Sequence, residues 1–281
     1  MQADPTLWCV SAWNDNGFEG MVGESRRLLR TQFFPGLGWL LSRALYKGEL
    51  EPRWPDEHWD HWMRSEVKHR TSRGRECLYP QVPRSYHAGA KGTFMDWRVH
   101  EKYFADIALS SDTSVRWTAA DVPLLRSAIV EHGYDEALRA RLSRARPLTE
   151  LAELLSPSNG SDHPVVLWYS QPPREQGATL YRDIAAFFGL WHEMRRGSHQ
   201  GVHEFRCRGH EVMLANTKVG AQGRSSPFAA LAPRTKRHIV SSTVAFGRMV
   251  DDFSQSRRGG RSREGVCRLA KLEANGRSML A

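Results

Sequence analysis

Trp54-Pro55-Asp56-Glu57-His58-Trp59-Asp60-His61-Trp62-Met63-Arg64 follows directly on the turn-forming run Glu51-Pro52-Arg53. It sets one carboxylate, Asp60, between two indoles and flanks it with His58 and His61. Three tryptophans within nine positions is heavy composition for a surface loop, because each large ring needs cover. An aspartate in such a setting is a candidate general base. Trp59 and Trp62 stand three apart and would share a helix face, so the same rings also read as core packed inward.

Outward from this stretch lie Cys9-Val10-Ser11-Ala12-Trp13-Asn14-Asp15-Asn16-Gly17 and Leu29-Arg30-Thr31-Gln32-Phe33-Phe34-Pro35-Gly36-Leu37-Gly38-Trp39-Leu40-Leu41. Glu49-Leu50-Glu51-Pro52-Arg53-Trp54-Pro55 and Arg73-Gly74-Arg75-Glu76-Cys77 follow in order. Together they closely resemble the GNT-I family of glycosyltransferases through about Phe104. A looser resemblance resumes over Arg195 to Leu214, which holds Gly197-Ser198-His199-Gln200-Gly201 and Phe205-Arg206-Cys207-Arg208-Gly209.

The resemblance implies an α/β fold, the C-terminal portion of a GT-A type nucleotide-diphospho-sugar transferase, followed by a small α+β region. It divides the chain into an acceptor and catalytic half over 1–110, a C-terminal domain over 111–220 and a basic flexible tail over 221–281. The implied activity is inverting transfer of N-acetylglucosamine from UDP-GlcNAc to a terminal α-mannose of a glycoprotein glycan, β-1,2 linked, at the lumenal face of the Golgi. Two acceptors fit. Trp13-Asn14-Asp15-Asn16-Gly17 and the compact Trp54-to-Arg64 spacing resemble the N-glycan member, whereas Leu45-Tyr46-Lys47, Arg75-Glu76-Cys77 and Arg84-Ser85-Tyr86-His87 lean towards the O-linked-mannose member. A third reading is a non-catalytic glycan-binding remnant, with Trp59, Trp62 and Trp97 as a stacking surface.

Residue by residue, the resemblance makes Asp60 the catalytic base, Trp59 and Leu37 donor-site neighbours, and Gly92, Thr93 and Phe94 part of a loop closing over the donor. Phe94 departs from the pattern: a serine stands there in the N-glycan member, and a phenyl ring cannot donate a hydrogen bond to a phosphate. Cys9 and Cys77 match a family disulfide, a bond of oxidising compartments. Manganese is implied as cofactor, yet the family's nucleotide-binding half and acidic metal motif precede the Cys9 strand. The chain opens at Met1-Gln2-Ala3-Asp4-Pro5, so no metal ligand is expected here, and Asp251-Asp252 is a poor substitute. The chain alone is accordingly expected to be inactive.

The chemistry agrees with residue type. An acceptor hydroxyl must lose its proton as it attacks the anomeric carbon, which calls for a carboxylate within hydrogen-bond reach. A free aspartate has a pKa near 3.9 and is ionised in a secretory compartment. In Phe34-Pro35-Gly36-Leu37-Gly38-Trp39, two glycines permit close approach of backbone to a ligand, although Pro35-Gly36 also suits a plain turn.

With 281 residues the chain can bury a substantial core. The net charge of +9 is concentrated in the tail: residues 221–281 carry 12 Lys or Arg against 4 Asp or Glu, leaving +1 for the body. Ser254-Gln255-Ser256-Arg257-Arg258-Gly259-Gly260-Arg261-Ser262-Arg263 reads as solvated, and the absence of interleaved aromatics argues against nucleic acid. The longest nearly apolar run, Phe33 to Leu41, is too short for a membrane span, so no anchor or secretory signal is expected in this chain. Asn159-Gly160-Ser161 is a glycosylation sequon. Without a CxxC pair, a structural zinc site is not expected.

Local patterns predict a strand over Trp8 to Ala12, a helix over Leu37 to Tyr46, and another over Asp56 to Lys68 with Asp56 as N-cap. Further on they predict helix over Val122 to Leu155 with breaks at Gly133 and Pro147, a strand over Val165 to Ser170 and a helix over Thr179 to Phe188. A hairpin is expected around Arg208-Gly209-His210.

Overall fold

The computed structural model describes residues 4–64, 72–92, 95–118, 129–158, 163–171, 179–218, 226–235, 238–256 and 265–268. Thr93, Phe94 and the sequon lie outside them. Two mixed sheets organise the chain, and the architecture is α/β. The first sheet has the order β2(Leu28–Thr31), β4(Glu76–Pro80), β1(Leu7–Ser11), β3(Trp39–Leu40), with β1 and β4 parallel and the outer pairs antiparallel. Helix α1 (Trp59–Arg64) lies between β3 and β4 in the chain, and α2 (Trp97–Tyr103) follows β4. Asp96 caps α2, its carboxylate accepting from the amides of Arg98 and Val99.

The second sheet runs β10(Ile239–Val240), β6(Val165–Tyr169), β9(His210–Asn216), β8(Val202–Cys207), β7(Ser198–His199), with β5(Arg146–Pro147) also paired to β6. All five residues of β6 are buried, as suits a central strand with parallel neighbours on both sides. The hairpin of β8 and β9 turns through Arg208 (φ 51°) and Gly209 (φ 90°), two left-handed residues of the kind that matches strand twist. Helix α3 (Glu131–Arg144) packs Tyr134, Leu138 and Leu142 against one face of this sheet. Helix α4 (Thr179–Phe188) covers the other face with Leu180, Ile184, Phe187 and Phe188. Its polar Arg182 and Asp183 point to solvent.

Several expectations need correction. The segment from Leu37 to Tyr46 is not one helix: Gly38 takes φ 57°, β3 pairs with β1, and only Arg43–Leu45 is α-helical before a π turn at Tyr46–Leu50. Asp56 is not an N-cap, because α1 starts at Trp59 after His58 turns the chain at φ 53°. Between Glu131 and Arg144 Gly133 is accommodated without a break, and Leu151–Leu155 is a separate 3-10 turn. Trp13, Phe18, Tyr103 and Ile107 share a buried cluster with Leu148, Leu167, Ile184 and Leu214, so the core runs across residue 110.

The tail is the largest departure. Helix α5 (Thr243–Ser256) buries Phe246 and Phe253 in that same cluster, and Cys267 is disulfide-bonded to Cys207. Charge dominates the composition after residue 220 and conceals Phe246-Met249-Val250-Phe253, an apolar stripe at helical spacing.

Candidate active site

Cys9 and Cys77 face each other across the parallel strands β1 and β4, both fully buried, with Cα atoms 4.6 Å apart and their sulfurs bonded. The bond closes 68 residues and fixes both ends of the excursion that carries β3 and α1.

A relay of aromatic rings leads outward from this disulfide. Buried Trp8 meets Phe34 at 5.6 Å between centroids, Phe34 meets Trp39 at 5.5 Å, and Trp39 meets Trp59 at 5.7 Å. Trp54 stacks on Trp59 at 6.0 Å and meets Trp62 edge-on at 5.6 Å. Trp54 and Trp62 thus behave as core, packed against the cluster around Cys9 and Cys77. Trp59, at the outer end, keeps 37% of its surface open to solvent.

Asp60 follows Trp59 in the first turn of α1, with a quarter of its side chain exposed. Arg64, one turn on, places Nη1 3.6 Å from Asp60 Oδ2, and donates from Nη2 to the Pro35 carbonyl at 3.4 Å. Its Nε is buried and has no hydrogen-bond partner among the described residues. Burial pulls the Arg64 pKa down; the carboxylates of Asp15 and Asp60 oppose this, while Arg196 reinforces it. Gly36 has φ 78°, and a Cβ there would come within 2.7 Å of Arg64 Nη2, so glycine makes room for the guanidinium.

Leu37, next in the chain, accepts from Ser11 Oγ through its carbonyl at 2.9 Å and packs partly buried against the main core, as Met95 and Val99 do. Gly92 and Met95 exchange two backbone hydrogen bonds. The structure thus puts Asp60 and Trp59 on one short helix, ties that helix through Arg64 to the Pro35-Gly36 turn preceding Leu37, and seats Leu37 and Met95 on a common core.

The quoted Asn14-Asp15-Asn16-Gly17 stretch also joins distant parts of the chain. Asp15 pairs with Arg196 Nη1 at 2.9 Å, Asn16 donates to the Arg196 carbonyl at 2.8 Å, and Asn16 Oδ1 accepts from the Trp191 amide at 2.8 Å. The Arg196 guanidinium lies 3.4 Å from the Trp191 ring centroid. Asp15 and Asn16 stand in a quoted motif and Arg196 in the Arg195 to Leu214 stretch, but their sequence separation hides the contact. A charged network behind the first sheet was missed in the same way. His199 sits between Glu76 (Nδ1 to Oε1, 2.8 Å) and Asp135 (Nε2 to Oδ1, 2.5 Å), and Arg30 binds Glu76 at 2.7 Å and Asp4 at 2.8 Å. Burial would lower the His199 pKa, but the two carboxylates outweigh it and raise it to about 9.

Among the described residues, no group of three His, Cys, Asp or Glu side chains could hold a metal ion. Asp251 and Asp252 are exposed neighbours on α5, a helical spacing that turns their side chains apart. The described residues therefore do not fit manganese. No helix among them is long and apolar enough to cross a membrane.

An α/β frame with an aspartate held beside a half-exposed tryptophan is consistent with a glycosyltransferase, and comparison with known proteins agrees. Residues 1–224 match the GNT-I family. Alpha-1,3-mannosyl-glycoprotein 2-beta-N-acetylglucosaminyltransferase of Arabidopsis thaliana is 32% identical over 212 residues, covering 74% of this chain and 44% of that protein. The chain belongs to the GNT-I family of glycosyltransferases. It spans less than half the length of that relative.

Proposed function

We propose that the chain carries the acceptor-binding and base-supplying part of a GT-A type N-acetylglucosaminyltransferase, acting on a terminal α-mannose of glycoprotein N-glycans at the lumenal face of the Golgi. The supporting observation is the setting of Asp60, close enough to Arg64 to be held by charge at 3.6 Å yet too far for its oxygen to be used up in a tight hydrogen bond. Asp60 takes the proton of the mannose hydroxyl as that oxygen bonds to the anomeric carbon of UDP-GlcNAc. The carbon's bond to the diphosphate oxygen breaks, its electron pair leaves with UDP, and attack opposite the leaving group converts the α-linked donor into a β-1,2 product.

Trp59 and Leu37 offer apolar surface beside the sugar. Two disulfides suit an oxidising lumen. The donor diphosphate needs ligands that the described residues do not supply, so the chain by itself is expected not to turn over. The O-linked-mannose acceptor is the second reading, favoured by Arg75-Glu76-Cys77 and Arg84-Ser85-Tyr86-His87.

The test uses the chain alone and the chain joined to the part of the Arabidopsis relative that it does not span. Both receive labelled UDP-GlcNAc, manganese, and either a mannose-terminated N-glycan or an O-mannosyl peptide. Transfer by the joined protein to the N-glycan is expected; transfer only to the peptide selects the second reading, and transfer to neither overturns both.

A further inference from the structure

Gly265-Val266-Cys267-Arg268 is docked where two helices end. The amides of Gly265, Val266 and Cys267 donate to the carbonyls of Ala186, Phe187 and Phe188 at 3.0, 2.9 and 3.3 Å. Those carbonyls belong to the last turn of α4, whose C-terminus leaves its final acceptors without intrahelical donors. Gly189, at φ 89°, ends the helix, and a Cβ there would come within 3.0 Å of both Gly265 Cα and Arg268 Cγ. Cys267, 3% exposed, is bonded to the fully buried Cys207 at the end of β8.

Arg268 then reaches out of the second sheet's layer. Its Nε donates to the Gly189 carbonyl at 2.6 Å and its Nη1 to the Lys102 carbonyl at 2.6 Å. Lys102 is in the last turn of α2, so one guanidinium satisfies the C-terminal ends of two helices, where a cation is favoured. The same group lies 3.3 Å from the Phe18 ring centroid. Burial lowers its pKa to about 10, which leaves it charged at neutral pH. Val266 packs on the core cluster that also carries Leu37, Met95 and Val99.

We infer that Gly265–Arg268 is a covalent clasp: Cys267 fastens the segment to β8, its amides cap α4, and Arg268 is a positioning residue that fixes α2 against α4. Because α2 begins just after Met95, the clasp holds the far end of the helix that follows the Gly92–Met95 pair. The inference concerns the architecture and stands whether or not Asp60 is the base.

Hydrogen–deuterium exchange on the oxidised full chain tests it, with Cys267→Ser, Arg268→Met and Arg268→Lys, and with non-reducing peptide mapping of the wild type. Arg268→Met is expected to keep the Cys207–Cys267 bond and the protection of residues 265–267, and to speed exchange across Trp97–Tyr103 by roughly tenfold or more, with recovery in Arg268→Lys. Cys267→Ser is expected to release 265–267 as well, while peptides around the Cys9–Cys77 bond stay unchanged. Unaltered exchange over Trp97–Tyr103 in Arg268→Met overturns the positioning role. A wild type mapped with Cys207 and Cys267 unlinked overturns the covalent part, and that measurement decides it even where Cys267→Ser fails to fold.

Discussion

Arg64 holds Asp60 and Pro35 at once: one guanidinium nitrogen lies 3.6 Å from the Asp60 carboxylate and the other 3.4 Å from the Pro35 carbonyl. Asp60 and the turn before Leu37 therefore share a single cation, and a change in either is felt by the other.

Asp60→Asn keeps shape but cannot accept the proton. In the joined protein that transfers sugar, turnover is expected to fall about 100-fold or more with little change in donor affinity. His61→Ala, on the neighbouring position, is expected to stay within about threefold, since nothing assigns it proton transfer. Steady-state kinetics check both, and unchanged turnover in the Asn variant would return Asp60 to an ordinary surface role.

Gly36→Ala forces a side chain into left-handed backbone and against Arg64. A loss of about 1–3 kcal/mol is expected from thermal or urea unfolding. Arg64→Ala in the same chain removes the clash but not the backbone strain, so the double variant should recover only part of the loss.

Replacing Cys9 and Cys77 by Ser opens a buried link across 68 residues. A cost of about 4 kcal/mol is expected from loop length. Calorimetry of the oxidised double variant against wild type measures it, and equal midpoints would exclude a stabilising bond.

The His199 network gives stability a pH dependence with a defined sign. His199 is raised in the fold from 6.5 to about 9, so its contribution is complete below the unfolded value and disappears as pH rises through about 9. Glu76 opposes this at the acid end: burial pushes it up, but His199 and Arg30 hold it below 4.5, so its contribution is lost as pH falls through that lowered value. Urea midpoints are expected to decline on both flanks, and His199→Gln should flatten the alkaline limb.

Ending the chain at Gly220 deletes Phe246, Phe253 and Cys267 from the core and from the second disulfide. Aggregation or loss of cooperative unfolding is expected. Circular dichroism melts of the truncation against the full chain check this.

Local pattern made much of the fold legible. Val165 to Tyr169 is uniformly apolar and bounded by polar turns, and Arg208-Gly209 is a two-residue hairpin turn; both carry their structure in adjacent residues. Reading failed where a distant partner decides. Trp39 pairs with Ser11 instead of continuing a helix, and His199 gives no hint in sequence of Glu76 and Asp135. At the site, Asp60, Trp59 and Leu37 were visible through their motifs. Arg64 was visible as a residue but not as the link between them, because its second contact is 29 residues away. The tail was misread because composition averaged over its length conceals four apolar positions at helical spacing.

Asn16 bonds to Trp191 and Arg196 across separations of 175 and 180 residues, so the loop after β1 waits for the segment that leads into β7 before its polar groups are satisfied. During synthesis at about 5–20 residues per second, that wait is on the order of ten seconds or more. Through it Asp15 and Asn16 lack the partners that later bury them. Contacts this remote slow the search for the native state. The N-terminal part of the chain should thus emerge as a client for folding helpers until the segment around Trp191 to Arg196 has been made.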